Sequence, residues 1–127
     1  MNLNDSKIAE KLSIAIENHK KNKFKLAEEL YKEILNLNKN HLSTIFYLGT
    51  LYSQLKKFSL AKSFLLKADK LNPNNLNINL NIGNLYFNTG ESESALERFN
   101  KVIRIKPNYI LAHFNKGIIL NSQRKYK

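Results

Sequence analysis

Asn81 and Asn115 are the two residues in this 127-residue sequence whose type and spacing best fit a binding function. They lie 34 positions apart. A side-chain amide carries two N–H donors and a carbonyl acceptor, so it can pair with a peptide backbone whatever the peptide's side chains are. A fixed interval predicts that the two amides stack one above the other in a repeated structure. Asparagine is common throughout the chain, however, so ordinary polar positions are the alternative interpretation.

No catalytic or metal-binding pattern appears in the sequence. The absence of cysteine excludes disulfides, thiolate metal sites and cysteine nucleophiles. His19, His41 and His113 are isolated, and no histidine pair has the i, i+4 spacing with a carboxylate that binds zinc on a helix. The four glycines are dispersed, so no phosphate-binding loop is predicted. We therefore expect no catalytic residue, no metal, no cofactor and no enzymatic activity.

A 34-residue period governs the whole chain. It is carried by three series of residues: Gly49, Gly83 and Gly117; Ala27, Ala61 and Ala95; and Pro73 and Pro107. Phased series of this length are typical of stacked helical repeats. A glycine inside a helix costs ~1 kcal/mol relative to alanine. Its recurrence, with Ala15 at the matching place in the first unit, therefore predicts a neighbouring helix too close for a larger side chain.

The period divides the chain into helix pairs. The predicted segments are an N-terminal lead at 1–7, three helix–turn–helix units at 8–41, 42–75 and 76–109, and one further first helix at 110–127. Asp5 or Ser6 is predicted to cap the first helix. Pro73 and Pro107 should lie just past the ends of second helices, because proline cannot continue a helix. Gly90 is predicted to mark a turn.

The segment 110–127 has an apolar face but no second helix to cover it. Either this helix caps the stack, or the chain is a fragment of a longer array. We favour the fragment, since the end repeats of such arrays are normally more polar. Self-association through this helix is a further interaction that the sequence leaves open.

These residues resemble the tetratricopeptide repeat family, whose helix pair has a small residue and then an aromatic in its first helix, an alanine in its second and a terminal proline. The middle unit supplies Leu48, Gly49, Tyr52, Ala61, Leu65, Ala68 and Pro73, and the next supplies Ile82, Gly83, Tyr86, Gly90, Ala95, Phe99 and Pro107. The first unit diverges, with Lys39 in place of the proline. The resemblance implies an all-α fold, a right-handed α-solenoid of about three and a half helix–turn–helix repeats.

The resemblance also implies a concave groove, lined by the first helices, that holds a peptide. The groove residues expected from it are Tyr47, Asn77, Asn81, Asn84, Phe114 and Asn115. Asn81 and Asn115 would anchor the peptide backbone, as asparagine ladders do in the repeat regions of some glycosyltransferases. Co-chaperone relatives hold a C-terminal carboxylate with basic groove residues. The matching positions here carry no basic residue, so we expect no chaperone-tail binding. These positions are Leu12, Ile16, Tyr47, Asn77 and Asn81.

The net charge of +11 raises the question of a nucleic-acid or membrane partner. Residues 42–54 and 75–88 contain no Asp, Glu, Lys or Arg. Nucleic-acid binding requires cations along the binding surface, so we assign the charge to the outer face and expect no nucleic-acid partner. No apolar run approaches the ~20 residues that cross a bilayer, and no secretory signal is visible. We expect no membrane partner and a cytoplasmic location.

The sequence as a whole predicts a non-catalytic protein–protein interaction scaffold that binds a peptide or partner protein in its groove. Two alternatives stay open. The repeats could be the accessory region of a larger enzyme such as a glycosyltransferase, or a basic solenoid that associates with RNA.

Overall fold

The structure is a computed structural model that describes residues 2–125, and these contain seven α-helices and no strand. The helices are α1 (Leu3–Lys20), α2 (Phe24–Leu37), α3 (Leu42–Gln54), α4 (Phe58–Leu71), α5 (Leu76–Asn88), α6 (Ser92–Ile105) and α7 (Ile110–Lys125). Tyr126 and Lys127, which the sequence assigns to the last segment, lie outside the described residues. The chain forms two compact units, Met1–Lys67 and Ala68–Lys127.

The start of α1 differs from the sequence-based prediction. The helix begins at Leu3, and its cap is Asn2, whose side-chain oxygen accepts a hydrogen bond from the Asp5 backbone N–H at 2.8 Å. The prediction of Asp5 or Ser6 as the cap is therefore wrong. Asn, Asp and Ser cap helices about equally well, so residue type alone does not select among them. The earlier start also places the Asp5 carboxylate in the first turn, where the positive end of the helix dipole favours it.

A left-handed residue recurs at the turn inside each helix pair. Asn22, Lys56 and Gly90 have φ angles of 62°, 60° and 82°, and they are 34 positions apart. After α5, the Gly90 N–H donates to the Phe87 carbonyl at 3.1 Å, and the next N–H donates to the Tyr86 carbonyl at 2.8 Å. This is the Schellman arrangement that ends many helices. The predicted turn at Gly90 is confirmed. The turns at Asn22 and Lys56 could not be predicted in the same way, because neither position is a glycine.

Lys56→Gly is expected to stabilise the protein by about 0.5–1 kcal/mol. A left-handed backbone strains any residue with a Cβ by ~1–2 kcal/mol, and glycine relieves that strain. The greater conformational freedom of glycine in the unfolded chain offsets only part of this stabilisation. The measurement is urea-induced unfolding followed by circular dichroism, with Lys57→Gly, one residue further along, as the matched control. A variant less stable than the parent would contradict the strain at residue 56.

The second helices pack against the small residues of the first helices. A Cβ atom added to Gly49 would lie 2.9 Å from Leu65 Cγ, and one added to Gly83 would lie 2.6 Å from Phe99 Cε1. The predicted close approach is confirmed at these two glycines. It is wrong for Gly117, where no described atom comes within 4 Å of the added Cβ. The difference arises because no helix within residues 2–125 covers that side of α7.

Candidate functional site

A hydrogen bond joins two of the predicted groove residues within the second unit. The Asn115 side-chain N–H on α7 donates to Asn84 Oδ1 on α5 at 3.0 Å, and both side chains are half-buried. This bond does not involve the Asn84 amide N–H groups or the Asn115 Oδ1 atom. Each asparagine amide has two donors and one acceptor. The pair can therefore present a donor and an acceptor side by side, which is the pattern that matches one peptide unit.

Two more predicted groove residues lie along α5 on the side of Asn84. Residues 77, 81 and 84 have the i, i+4, i+7 spacing that puts side chains on one helix face. Asn81 is half-buried, and Asn77 is exposed with its Oδ1 accepting a hydrogen bond from the Tyr109 hydroxyl at 3.4 Å. The hydrogen bond that Asn115 donates thus reaches Asn84, one turn beyond the residue predicted to stack on it. Asn81 stays a predicted member of the site.

Phe114 faces a different direction from its neighbour Asn115. Adjacent helix positions point about 100° apart, and Phe114 is 63% exposed beside Ile110 and His113 in a shallow depression. Leu80, which is 34 positions earlier, belongs to the buried core of the second unit at 7% exposure. The structure therefore does not bring the Phe114 side chain to the asparagine pair.

Tyr47 lies in the first unit and is half-buried on α3. Its ring stacks on Tyr31 with 6.2 Å between centroids and 6° between planes, and it meets Phe46 edge-on at 5.7 Å. It lines an open pocket between α1 and α3 with Ile16, His19, Lys20, Asn22, Thr50 and Gln54. The Tyr47 ring is thus held in place by two aromatic neighbours at the edge of a polar pocket.

His19 links the pocket to the core through two hydrogen bonds. Burial raises the pKa of Tyr31 well above its ordinary range, so the hydroxyl stays protonated and donates to His19 Nδ1 at 2.8 Å. The other ring nitrogen bonds the Gln54 side-chain oxygen, which can only accept, so Nε2 carries the proton. His19 looks isolated in the sequence because its two partners are 12 and 35 positions away.

The other two histidines also have structural partners. His41 Nδ1 bonds the Thr44 hydroxyl at 2.9 Å, and His113 Nε2 donates to the Pro107 carbonyl at 2.6 Å. Within the described part of the chain, no group of three or more His, Cys, Asp or Glu side chains is arranged to hold a metal ion.

Arg98 forms a polar cluster in the second unit that no local sequence motif predicts. One guanidinium nitrogen donates to Asp69 Oδ2 at 2.9 Å and to Asn79 Oδ1 at 3.0 Å. The fully buried Asn79 amide in turn donates to the backbone carbonyls of Pro73 and Asn75, at 3.1 and 2.8 Å. Asp69 is thus paired with a residue 29 positions away. The cluster fixes the turn between α4 and α5 against α6.

Two family models match the chain. A "Tetratricopeptide repeat" model matches residues 44–75, and a "TPR repeat" model matches residues 83–123. Together they cover more than half of the 127 residues. The chain belongs to the tetratricopeptide repeat (TPR) family. Its described residues form three TPR helix pairs followed by one further helix.

Solved TPR structures share this fold at low sequence identity. A mutant of the Thermobaculum terrenum O-GlcNAc transferase is 22% identical, with a TM-score of 0.88, over 94% of this chain and 23% of its own. MamA is 22% identical, with a TM-score of 0.84, over 91% of this chain and 68% of its own. The first TPR of Spaghetti (RPAP3), bound to HSP90 peptide SRMEEVD, is 20% identical, with a TM-score of 0.87, over 94% of each chain.

This TPR chain therefore spans about a quarter of the length of that transferase. A comparison with curated protein sequences gives no match. No helix within residues 2–125 has the combination of length and apolar content that crossing a bilayer requires.

Proposed function

We propose that this TPR chain is a non-catalytic scaffold that binds an extended segment of a partner protein along the asparagine face, defined as Asn77, Asn81, Asn84 and Asn115. The observation that carries the proposal is the Asn84–Asn115 amide pair. Two fixed amides can accept from one peptide N–H and donate to a peptide carbonyl, whatever the side chains of the ligand. The Spaghetti structure, which holds a peptide on the same fold, supports a peptide as the class of ligand.

The charge of the asparagine face favours recognition of the peptide backbone. Helix α5 carries no Asp, Glu, Lys or Arg, and Asn115 is followed by Lys116 on α7. An acidic peptide tail would need cations at the positions that hold Leu12, Ile16, Tyr47, Asn77 and Asn81 here. We therefore propose a ligand of low net charge, held through its main chain. For Tyr47 in the first unit and for Phe114, a role in selecting ligand side chains stays a prediction from the sequence.

Asn84→Ala/Asn115→Ala is expected to weaken peptide binding by about 1–3 kcal/mol, because two hydrogen bonds to the ligand are lost. Peptides are first selected from a random library on the parent protein, and the affinities of the selected peptides are then measured by isothermal titration calorimetry. Asn121→Ala is the matched control, because Asn121 is an exposed asparagine on another side of the same helix. Equal affinity of the parent and the double variant would remove the amide pair from the site.

The match to the transferase supports a second candidate, an accessory TPR region that orients protein substrates for a glycosyltransferase. The reading frame downstream of codon 127 tests it. A catalytic domain there would favour this candidate, and an immediate stop codon would oppose it.

We expect RNA oligonucleotides not to bind, since α3 and α5 carry no cation to neutralise phosphates. Salt-sensitive oligonucleotide binding would restore the RNA alternative. The cytoplasmic location stays a prediction.

A further inference from the structure

Four helix ends come together at one end of the first unit. His19, near the end of α1, is hydrogen-bonded to Gln54 at the end of α3. Tyr52, also near the end of α3, donates its hydroxyl to the Glu28 carboxylate on α2 at 2.7 Å. Lys57 directly precedes α4, and its Nζ atom lies 6.0 Å from the centroid of the Tyr52 ring. The ends of α1 and α3 therefore lie beside the starts of α2 and α4.

Six exposed lysines lie at these helix ends, and we define the basic edge by them. They are Lys20, Lys21, Lys23, Lys25, Lys56 and Lys57. The segments that carry them, 20–26 and 54–60, contain no Asp or Glu. The positive ends of the α2 and α4 dipoles lie at the same place and add to the positive potential. The basic edge is therefore a strongly cationic surface.

The acidic residues nearest to the basic edge neutralise only part of its charge. Glu17 pairs with Lys21 at 3.0 Å, one turn back along α1. The Glu28 carboxylate pairs with Lys32 at 3.2 Å in addition to its bond from the tyrosine hydroxyl. Glu29 is exposed and follows Lys25 by one helical turn. The six lysines therefore keep an excess of positive charge.

The third helix pair shows that the repeat does not require these lysines. Its equivalent segment, 88–94, contains Glu91 and Glu93 but no Lys or Arg. Glu91 is the N-cap residue of α6, as Lys23 is of α2, and Glu93 occupies the repeat position of Lys25. The same turn thus forms with the opposite charge. The basic edge is a property of the first unit and not of the fold.

Two exposed leucines lie among the lysines and narrow the class of partner. Leu26 and Leu60, in the first turns of α2 and α4, are 44% and 45% exposed, whereas the third pair has Ser94 at this position. More than half of each leucine is covered, so neither can insert deeply into a bilayer. Arginine, which binds phosphate in a bidentate manner, is absent from residues 1–67. The combination favours a protein segment that has both carboxylates and apolar side chains.

We propose that the basic edge binds an acidic segment of a partner protein. Its carboxylates contact the lysines, and apolar side chains between them contact Leu26 and Leu60. The charges attract the segment and select it, and the leucines add apolar contact. The surface is made of helix ends, whereas repeats stack through helix sides, so neighbouring repeats leave it accessible. The asparagine face belongs to the second unit, so either proposal can fail without the other.

The probe is a fluorescein-labelled peptide in which the triplet Asp-Glu-Leu is repeated to about 12 residues, a length that spans ~40 Å when extended. A second probe has serine in place of each leucine. Fluorescence anisotropy measures their affinities for the protein. We expect the leucine probe to bind more tightly than the serine probe. We expect salt at ~1 M, where the Debye length is ~3 Å, to weaken the binding of both.

Lys23→Glu/Lys25→Glu gives α2 the residue types that α6 has at the same repeat positions. It is expected to weaken binding of the leucine probe about tenfold or more, because like charges then face each other. Its thermal midpoint is expected to equal or exceed that of the parent, since anions at a helix N-terminus are favourable. A retained midpoint establishes that lost binding is not lost folding.

Three further variants separate charge, apolar contact and the asparagine face. Lys7→Glu/Lys39→Glu makes the same change in net charge at the opposite end of the first helix pair, and we expect it to bind within about twofold of the parent. Leu26→Ser/Leu60→Ser is expected to bind the leucine probe no more tightly than the serine probe. Asn84→Ala/Asn115→Ala is expected to bind as the parent does.

Several results would overturn the proposal. These are no binding of the leucine probe to the parent, equal binding to Lys23→Glu/Lys25→Glu, or equal binding of the two probes. The partner class would be wrong if oligouridylate RNA bound more tightly than the leucine probe and Lys23→Glu/Lys25→Glu abolished that binding. The same holds for vesicles of phosphatidylcholine and phosphatidylserine in about equal parts, measured by co-sedimentation.

Discussion

Gly83→Leu is expected to lower the free energy of unfolding by about 1–3 kcal/mol, the usual cost of overpacking a core. The Cβ that leucine adds would lie 2.6 to 2.9 Å from three atoms of the Phe99 ring. Phe99 is fully buried in the cluster formed with Leu80, Ala95 and Val102. The ring therefore has no space into which to move. Urea-induced unfolding and the thermal midpoint, both followed by circular dichroism at 222 nm, measure the loss.

Gly117→Leu is the matched control for this substitution. The residue change is the same and the position is 34 residues later in the repeat, but no described atom lies within 4 Å of the added Cβ. We expect its stability to be unchanged or to rise by up to ~1 kcal/mol, because leucine is a better helix former than glycine. If both variants lose the same amount of stability, the loss at residue 83 comes from something other than contact with α6.

Arg98→Met is expected to destabilise the protein by about 1–3 kcal/mol. The substitution keeps most of the aliphatic stem but leaves two hydrogen-bond acceptors without their donor. A buried acceptor without a hydrogen bond lowers the free energy of unfolding by about 1–3 kcal/mol. One is Asn79 Oδ1 in a fully buried side chain. The other is the Asp69 carboxylate, whose side chain is 18% exposed. The measurement is again urea-induced unfolding.

Arg104→Met controls for the loss of a surface arginine, because it removes an exposed arginine from the same helix, α6. We expect it to change stability by less than ~0.5 kcal/mol. Asp69→Leu combined with Arg98→Met should recover part of the loss, since removing both charges leaves neither ion unpaired. Equal effects of the two single arginine substitutions would show that the buried cluster contributes nothing measurable.

The fold could be predicted from the sequence because its strongest signal is periodic. The glycine, alanine and proline series place six helices in pairs, and the structure confirms the helix ends before Pro73 and Pro107. Periodicity reports only what the units share. The left-handed turns at Asn22 and Lys56 have the same geometry as the turn at Gly90 without its residue type, so only the backbone reveals them.

The candidate site was less predictable because it depends on contacts between helices. Translation by one repeat pairs Asn115 with Asn81, but the Asn115 side chain donates its hydrogen bond to Asn84 instead. Leu80 on α5 and Ala112 and Ile119 on α7 belong to one buried cluster, so the packing of the two helices is not visible in the spacing of the asparagines. The Arg98 and His19 clusters were missed for the same reason. Each joins polar residues that are 12 or more positions apart, and neither has a local motif.

The most direct test of the proposed function is the response of the side-chain amide signals of ¹⁵N-labelled protein to a library-selected peptide. We expect the side-chain amide signals of Asn84 and Asn115 to shift on titration with the peptide, while that of Asn121 stays in place. If the peptide binds and the Asn84 and Asn115 signals do not move, the asparagine face is not the binding site.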